Sequence, residues 1–215
     1  MESKNDGMPS LTEILGRGAE MSETQKMPAD EWPMVTAERI ALLHLYDCKE
    51  QLARSETEAL RLVQAAKSAH LALQAALTAA LAGSMGIGAY TDKVESEWRD
   101  FLQEGGPQPK GRRIMHFEAL LNKARTKNLE WTQRPLTVSD ADATLLEKLT
   151  WIRHGVEHVH PGFWAIEPAY IHTVIPVAVR TALDALRTVT HHFEPGEIEQ
   201  AEKVVDEISL NCVSH

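Results

Sequence analysis

Apolar residues recur at helical spacing along most of the chain. From Thr36 to Ala82 neither Pro nor Gly intervenes. Ile40, Leu43 and Ala53 form a sparse first half of this stretch. Leu60, Val63, Ala66, His70, Leu73, Leu77 and Leu81 form a fuller second half. A single helix of that length would run roughly 70 Å at 1.5 Å per residue, too long for a compact domain of this size. The pattern therefore predicts a break near Ser55 or a projecting arm, and a stop at Gly83, Gly86 and Gly88.

A short helix is expected over Asp92 to Gln103, followed by a linker at Gly105-Gly106-Pro107 to Gly111. Ile114, Phe117, Leu120 and Leu121 share one face of a helix predicted from Arg113 to Lys127. Another helix begins at Ser139 or Asp140, with acids in its first turn. Its stripe is Leu145, Leu149, Ile152 and Val156, and Pro161 ends it. Pro168 suits the first turn of the next helix, which turns Ile175, Val179, Leu183, Leu186 and Val189 inward and should kink at Pro176. A last amphipathic helix uses Ile198, Ala201, Val205 and Ile208. No stretch alternates apolar and polar over strand length. The chain reads as all-α, a bundle of four to five main helices. Residues 1–34 are polar and weakly patterned and read as a flexible N-terminal arm. Residues 35–193 read as the helical domain and 194–215 as an added C-terminal helix.

Composition narrows the function classes. Of 215 residues 43% are hydrophobic, which suffices for a core, and the net charge of -9 argues against loose, sequence-blind wrapping of nucleic acid. Cys48 and Cys212 are neither a disulfide framework nor a metal-spaced pair, and suit a reducing, cytoplasmic setting. The first residues lack a basic start followed by an apolar run, so no secretory signal is expected. Ala69 to Tyr90 is mostly alanine and carries His70, Gln74, Thr78 and Ser84. It reads as a buried helix, not a membrane span. On that Ala/Leu face His70 reads as a core histidine. Gly83-Ser84-Met85-Gly86-Ile87-Gly88 has the look of a phosphate loop but lacks a lysine and follows a helix, so it reads as a plain loop.

The chemically dense segment is Trp151-Ile152-Arg153-His154-Gly155-Val156-Glu157-His158, which runs on through His160 and Pro161 to Phe163 and Trp164. With Leu145 at zero and 100° per residue, Leu149, Ile152 and Val156 fall within about 40° of it. Arg153 falls near 80°, Glu157 near 120°, His154 near 180° and His158 near 220°. This places Arg153, His154, Glu157 and His158 on the side turned away from the helix's own core. One reading is a solvated helix end, where Arg and His suit the dipole. The other is a partly desolvated site or interface, suggested by titratable groups crowded beside large apolar ones.

The segment resembles the signature of the HEPN domain family, which is Arg, a polar residue, a variable stretch and His. Here these are Arg153, His154, Gly155-Val156-Glu157 and His158. One HEPN-like group continues with Pro, Trp and Ile-Glu at the spacing of Pro161, Trp164 and Ile166-Glu167. His154 replaces that group's usual Asn, Val159 its Phe and Ala165 its Ser. The resemblance covers roughly residues 55–193. It implies a helical, HEPN-like bundle that acts as a homodimer. It also implies a metal-independent endoribonuclease, needing neither metal nor cofactor, with Arg153, His154 and His158 at the dimer cleft. Toxin-type members add an antitoxin protein as an expected partner.

The chemistry is consistent with these residue types. His158 titrates near neutrality and suits proton transfer. Arg153 suits bidentate contact with a phosphate, and His154 orients these groups or adds a second titrating site. Arg153 and His158 diverge by about 140° on one helix, which favours pairing two copies across a twofold axis. For RNA contact the sequence offers Lys110, Arg112, Arg113, Arg125, Trp131, His160 and Trp164. A basic run from Lys110 to Arg134 surrounds Trp131, which could stack on a base or be purely structural. Two further readings stay open. One is a non-catalytic HEPN-like dimerisation module. The other is a metal site, since His154 to His158 also spells His-x2-Glu-His.

Overall fold

The computed structural model describes residues 35–158 and 165–213, and these are all-helical apart from one isolated bridge between Tyr90 and Ile114. Seven α-helices occur among the described residues: α1 (Ala37–Ser55), α2 (Leu60–Ala82), α3 (Asp92–Glu104), α4 (Phe117–Thr126), α5 (Asp140–Glu157), α6 (Pro168–Leu186) and α7 (Glu197–Val213). A 3-10 helix, Arg187–His192, extends α6. The expected N-terminal arm lies outside the described residues.

Local signals set most boundaries. Thr36 caps α1 by accepting the Arg39 N–H at 3.4 Å, and Ser139 caps α5 by accepting the Asp142 N–H at 3.0 Å. The long apolar run does break at Ser55, and a turn at Glu56–Ala59 sends α2 back along α1. Gly83 ends α2 with φ of 64° and Gly105 ends α3 with φ of 70°, backbone that favours glycine. Pro168 sits in the first turn of α6, which continues through Pro176 to Leu186.

One boundary departs from expectation. The helix predicted from Arg113 begins only at Phe117, because Met115 donates its N–H to Ala89 O at 3.0 Å and Thr91 donates to Arg113 O at 3.0 Å. These pairings with the chain before α3 hold Arg113 to Met115 extended. Counted with the short α3 and the C-terminal α7, the helices of the described residues number seven.

α2 is the central element and packs against α1, α4, α5 and α6. Its buried set is rich in small residues, with Ala65, Ala66, Ala69, Ala72, Ala76 and Ala80 beside the larger Leu62, Leu73 and Leu77. Small side chains let neighbouring helices approach closely. α6 adds Ile171, Val174, Ile175, Val179, Leu183 and Leu186 to the same core. α7 packs on α1 and α6 and contributes Ala201, Val204, Val205, Ile208 and Cys212 to that core. Ion pairs of Arg39 with Glu197 and of Lys49 with Glu207 cross from α1 to α7. Both are partly exposed, so the buried apolar contacts carry most of that attachment. No helix among the described residues is long and apolar enough to cross a membrane.

The loop after α2 has one tight spot. A Cβ at Gly88 would lie 2.0 Å from the backbone oxygen of Leu81. The obstacle is backbone and cannot rotate away. Gly88→Ala is therefore expected to cost about 1–3 kcal/mol, as overpacking does, read as a lower urea midpoint with an unchanged m-value.

Candidate functional site

The end of α5 was expected to carry Arg153, His154, Glu157 and His158 on one outward side. The structure divides them. The buried residues of α5 are Ala143, Leu146, Leu149 and Ile152, while Leu145 and Val156 are only half-buried. At 100° per residue the centre of the buried set lies about 70° from Leu145, almost where Arg153 projects. The inward face is thus rotated relative to the Leu145–Val156 stripe. Arg153 faces inward and is half-buried, and His154, Glu157 and His158 are exposed. Arg153 is reoriented because α5 packs on α2, and the narrow alanine surface of α2 accommodates its long side chain.

Arg153 and Glu157 form an ion pair, with Nε 2.9 Å from Oε2 and about a quarter of each side chain exposed. Arg153 Nε is shut off from solvent and is not aligned for a hydrogen bond with that oxygen. Glu157 is the last residue of α5, where the helix dipole disfavours an anion. Burial also pushes its carboxyl up. Contact with Arg153 and the charges of Arg153, Lys67 and His158 outweigh both, and hold the group below the usual carboxylate range.

Behind this pair lies His70 of α2, fully buried. Its Nε2 is 3.4 Å from Thr150 Oγ1, its ring centre is 4.5 Å from that of Phe117, and its Nδ1 has no hydrogen-bond partner. Burial drives its pKa down from 6.5 to about 4, the Arg153 and His154 charges add to this, and Glu118 and Glu157 oppose it. His70 is a core histidine, as its apolar face suggested, but only half of its polar capacity is used. Its place beside Arg153 was not legible in the sequence, where the two residues stand more than eighty positions apart.

On the outer side the rings of His154 and His158 lie 5.8 Å apart, edge to face. Trp151 is 58% exposed and falls on the same stripe by helical spacing. The His158 N–H closes the last turn onto His154 O at 2.8 Å. His160 and Trp164 lie outside the described residues. Among the described residues no three His, Cys, Asp or Glu side chains gather as metal ligands. Glu194, Glu197, Glu199 and Glu207, which could add a third ligand to the two histidines of a metal site, belong to α7 and the turn before it. There Glu197 and Glu207 pair with Arg39 and Lys49.

The basic run stands apart from this helix end. Arg125 contacts Asp140 and donates to Val138 O at 3.2 Å, which ties it to the start of α5. Arg153 follows thirteen residues later, about 20 Å along the axis. Several of these cations have internal partners. Arg112 stacks on Trp98 at 5.2 Å and Lys123 pairs with Glu95 at 2.7 Å. Lys110, Arg113, Lys127 and Arg134 remain exposed. Trp131 is 43% exposed, with its ring 4.4 Å from that of His191. The glycine loop after α2 is turned onto the chain's own Glu130, whose Oε2 accepts the Ser84 N–H at 3.0 Å.

No family model matches the chain, and neither a curated protein nor a solved structure shows significant similarity to it.

Because His70 stays neutral when folded, the unfolded chain binds more protons between pH 6.5 and 4. The His70 contribution to stability is therefore complete above pH 6.5 and is lost as pH falls through that window. The loss amounts to about 3 kcal/mol at 1.36 kcal/mol per pH unit. Urea melts at pH 7 and pH 4.5 should show a smaller acid loss for His70→Leu than for the parent chain.

Proposed function

We propose that the chain is a HEPN-like homodimer in which Arg153 and His158 of two protomers meet at one cleft that binds and cleaves RNA without a metal. The observation that carries this reading is the two-sided end of α5. It presents a restrained Arg153, held on Glu157, and an exposed His154–His158 pair one helical turn away. The all-helical scaffold is compatible with it.

The chemistry follows from the residue types. The ribose 2′-hydroxyl attacks its neighbouring phosphorus while a neutral histidine takes the hydroxyl proton. A protonated histidine then gives a proton to the departing 5′-oxygen. His158 of each protomer fits these two roles, one as base and one as acid. Arg153 supplies hydrogen bonds and positive charge for the phosphorane as negative charge builds on it. Within one protomer Arg153 turns toward α2 and His158 toward solvent, so two copies are needed to surround one phosphate.

A second reading is favoured by Trp151. An exposed tryptophan on the same stripe as two histidines is also what a non-catalytic dimerisation face presents. The two readings separate on one variant. His158→Ala is expected to lower cleavage of a single-stranded RNA by about a hundredfold or more, with melting temperature and native dimer mass unchanged. RNA left uncut by the parent chain, with dimers that dissociate in His158→Ala, would establish the dimerisation module instead.

A further inference from the structure

Trp131, His191 and His192 form a row of aromatic rings apart from the end of α5. Trp131 stands in the turn between α4 and α5, and the two histidines close the 3-10 helix after α6. The ring centres of Trp131 and His191 are 4.4 Å apart at 61°, and those of His191 and His192 are 4.2 Å apart at 66°. Both are edge contacts, so no ring covers another face to face, and all of these residues are exposed. Each end of the row is fixed by the chain. Buried Leu129 donates its N–H to Arg134 O at 3.1 Å and accepts the Gln133 N–H at 2.8 Å, with Gln133 in the left-handed region at φ of 54°. This turn holds Trp131 in place although the residue is 43% exposed. At the other end His192 Nδ1 lies 2.5 Å from Oε1 of Glu38, which is buried in the first turn of α1. The carboxylate takes the Nδ1–H and leaves Nε2 as the outward polar atom of the ring. Arg134 of the same turn is exposed and makes no ion pair among the described residues. The turn's own carboxylate, Glu130, is engaged by the Ser84 N–H at 3.0 Å.

We infer that Trp131, His191 and His192 form a binding site for a nucleotide unit. The base lies against the exposed part of the indole, with His191 at its edge, because any base offers a π-face to an aromatic side chain. The phosphate meets Nε2–H of protonated His192 and the guanidinium of Arg134. Glu38 is a positioning residue, which fixes the ring of His192 so that Nε2 points outward. None of these residues belongs to the α5 terminus, and all come from one protomer, so the site needs no second copy. A free nucleotide and a nucleotide within single-stranded RNA present the same chemistry. With the ribonuclease reading, on which the RNA source rests, the row holds the strand at a point outside the cleft.

The test uses the full chain, with adenosine and adenosine 5′-monophosphate by calorimetry and a labelled oligoadenylate by fluorescence anisotropy. Trp131→Ala is expected to weaken every probe about tenfold, the scale of one base–aromatic stack, and Trp131→Phe to keep most of the affinity. His192→Ala is expected to weaken the phosphate-bearing probes and leave adenosine unchanged. In the parent chain the Trp131 indole N–H resonance should shift on titration with the monophosphate, which gives an answer even if Trp131→Ala fails to fold. A parent chain that binds none of the probes, a monophosphate affinity that neither variant changes, or an indole resonance that stays in place overturns the inference. Tighter binding of the oligoadenylate than of the monophosphate supports the site with RNA as its source, and the reverse order supports it with a free nucleotide. Monophosphate binding that responds as stated, with RNA left uncut, upholds the site and removes the ribonuclease reading. RNA cleaved by the parent chain, with binding indifferent to Trp131→Ala and His192→Ala, overturns this site alone.

Discussion

The packing of α5 against the alanine face of α2 is the contact on which the rest of this structure depends. α2 buries Ala65, Ala66, Ala69, Ala72 and Ala76 along the side that meets its neighbours. A helix with so little side-chain bulk can be approached from several directions, and α1, α4, α5 and α6 all use it. The space left by the small residues is taken by large ones from outside, Leu146, Leu149 and Ile152 of α5 among them. At the last two turns of α5 the half-buried Arg153 follows the buried Ile152, and Glu157 stands one turn further on. Arg153 and Glu157 pair at this helical spacing and neutralise each other.

This arrangement gives one helix end two different electrostatic environments. The inner side holds an arginine with most of its water removed, a carboxylate held down by its contact with that arginine, and a fully buried neutral histidine behind them. The outer side holds His154, His158 and Trp151 in contact with solvent. Two adjacent faces of one helix thus differ in exposure and in charge pairing.

The distribution of the remaining charge bears on how a long polyanion would lie on the protein. The exposed cations Lys127 and Arg134 lie with Trp131 in the connection between α4 and α5, and Arg153 is near the far end of α5. Arg112, Lys123 and Arg125 have partners within the chain and add less to the external field than their number suggests. On a chain with a net charge of -9, anion binding depends on local grouping of cations and not on overall attraction.

Much of the architecture was already determined by the sequence. The period of the apolar residues, the caps at Thr36 and Ser139, and the glycines at 83 and 105 fix where most helices run, because these signals act within a few residues of chain. The exposure of His154 and His158 was equally legible, since they project opposite every candidate apolar stripe of α5. Tertiary structure decided the rest. Arg113 to Met115 are extended because they pair with Ala89 to Thr91, a partner over twenty residues away. Arg153 faces inward because the apolar surface of α5 is broad enough for two inward directions, through Leu145 or through Leu146, and only packing on α2 selects the second. His70 comes to lie behind Arg153 through that same packing, which no local pattern encodes, because the two residues stand more than eighty positions apart.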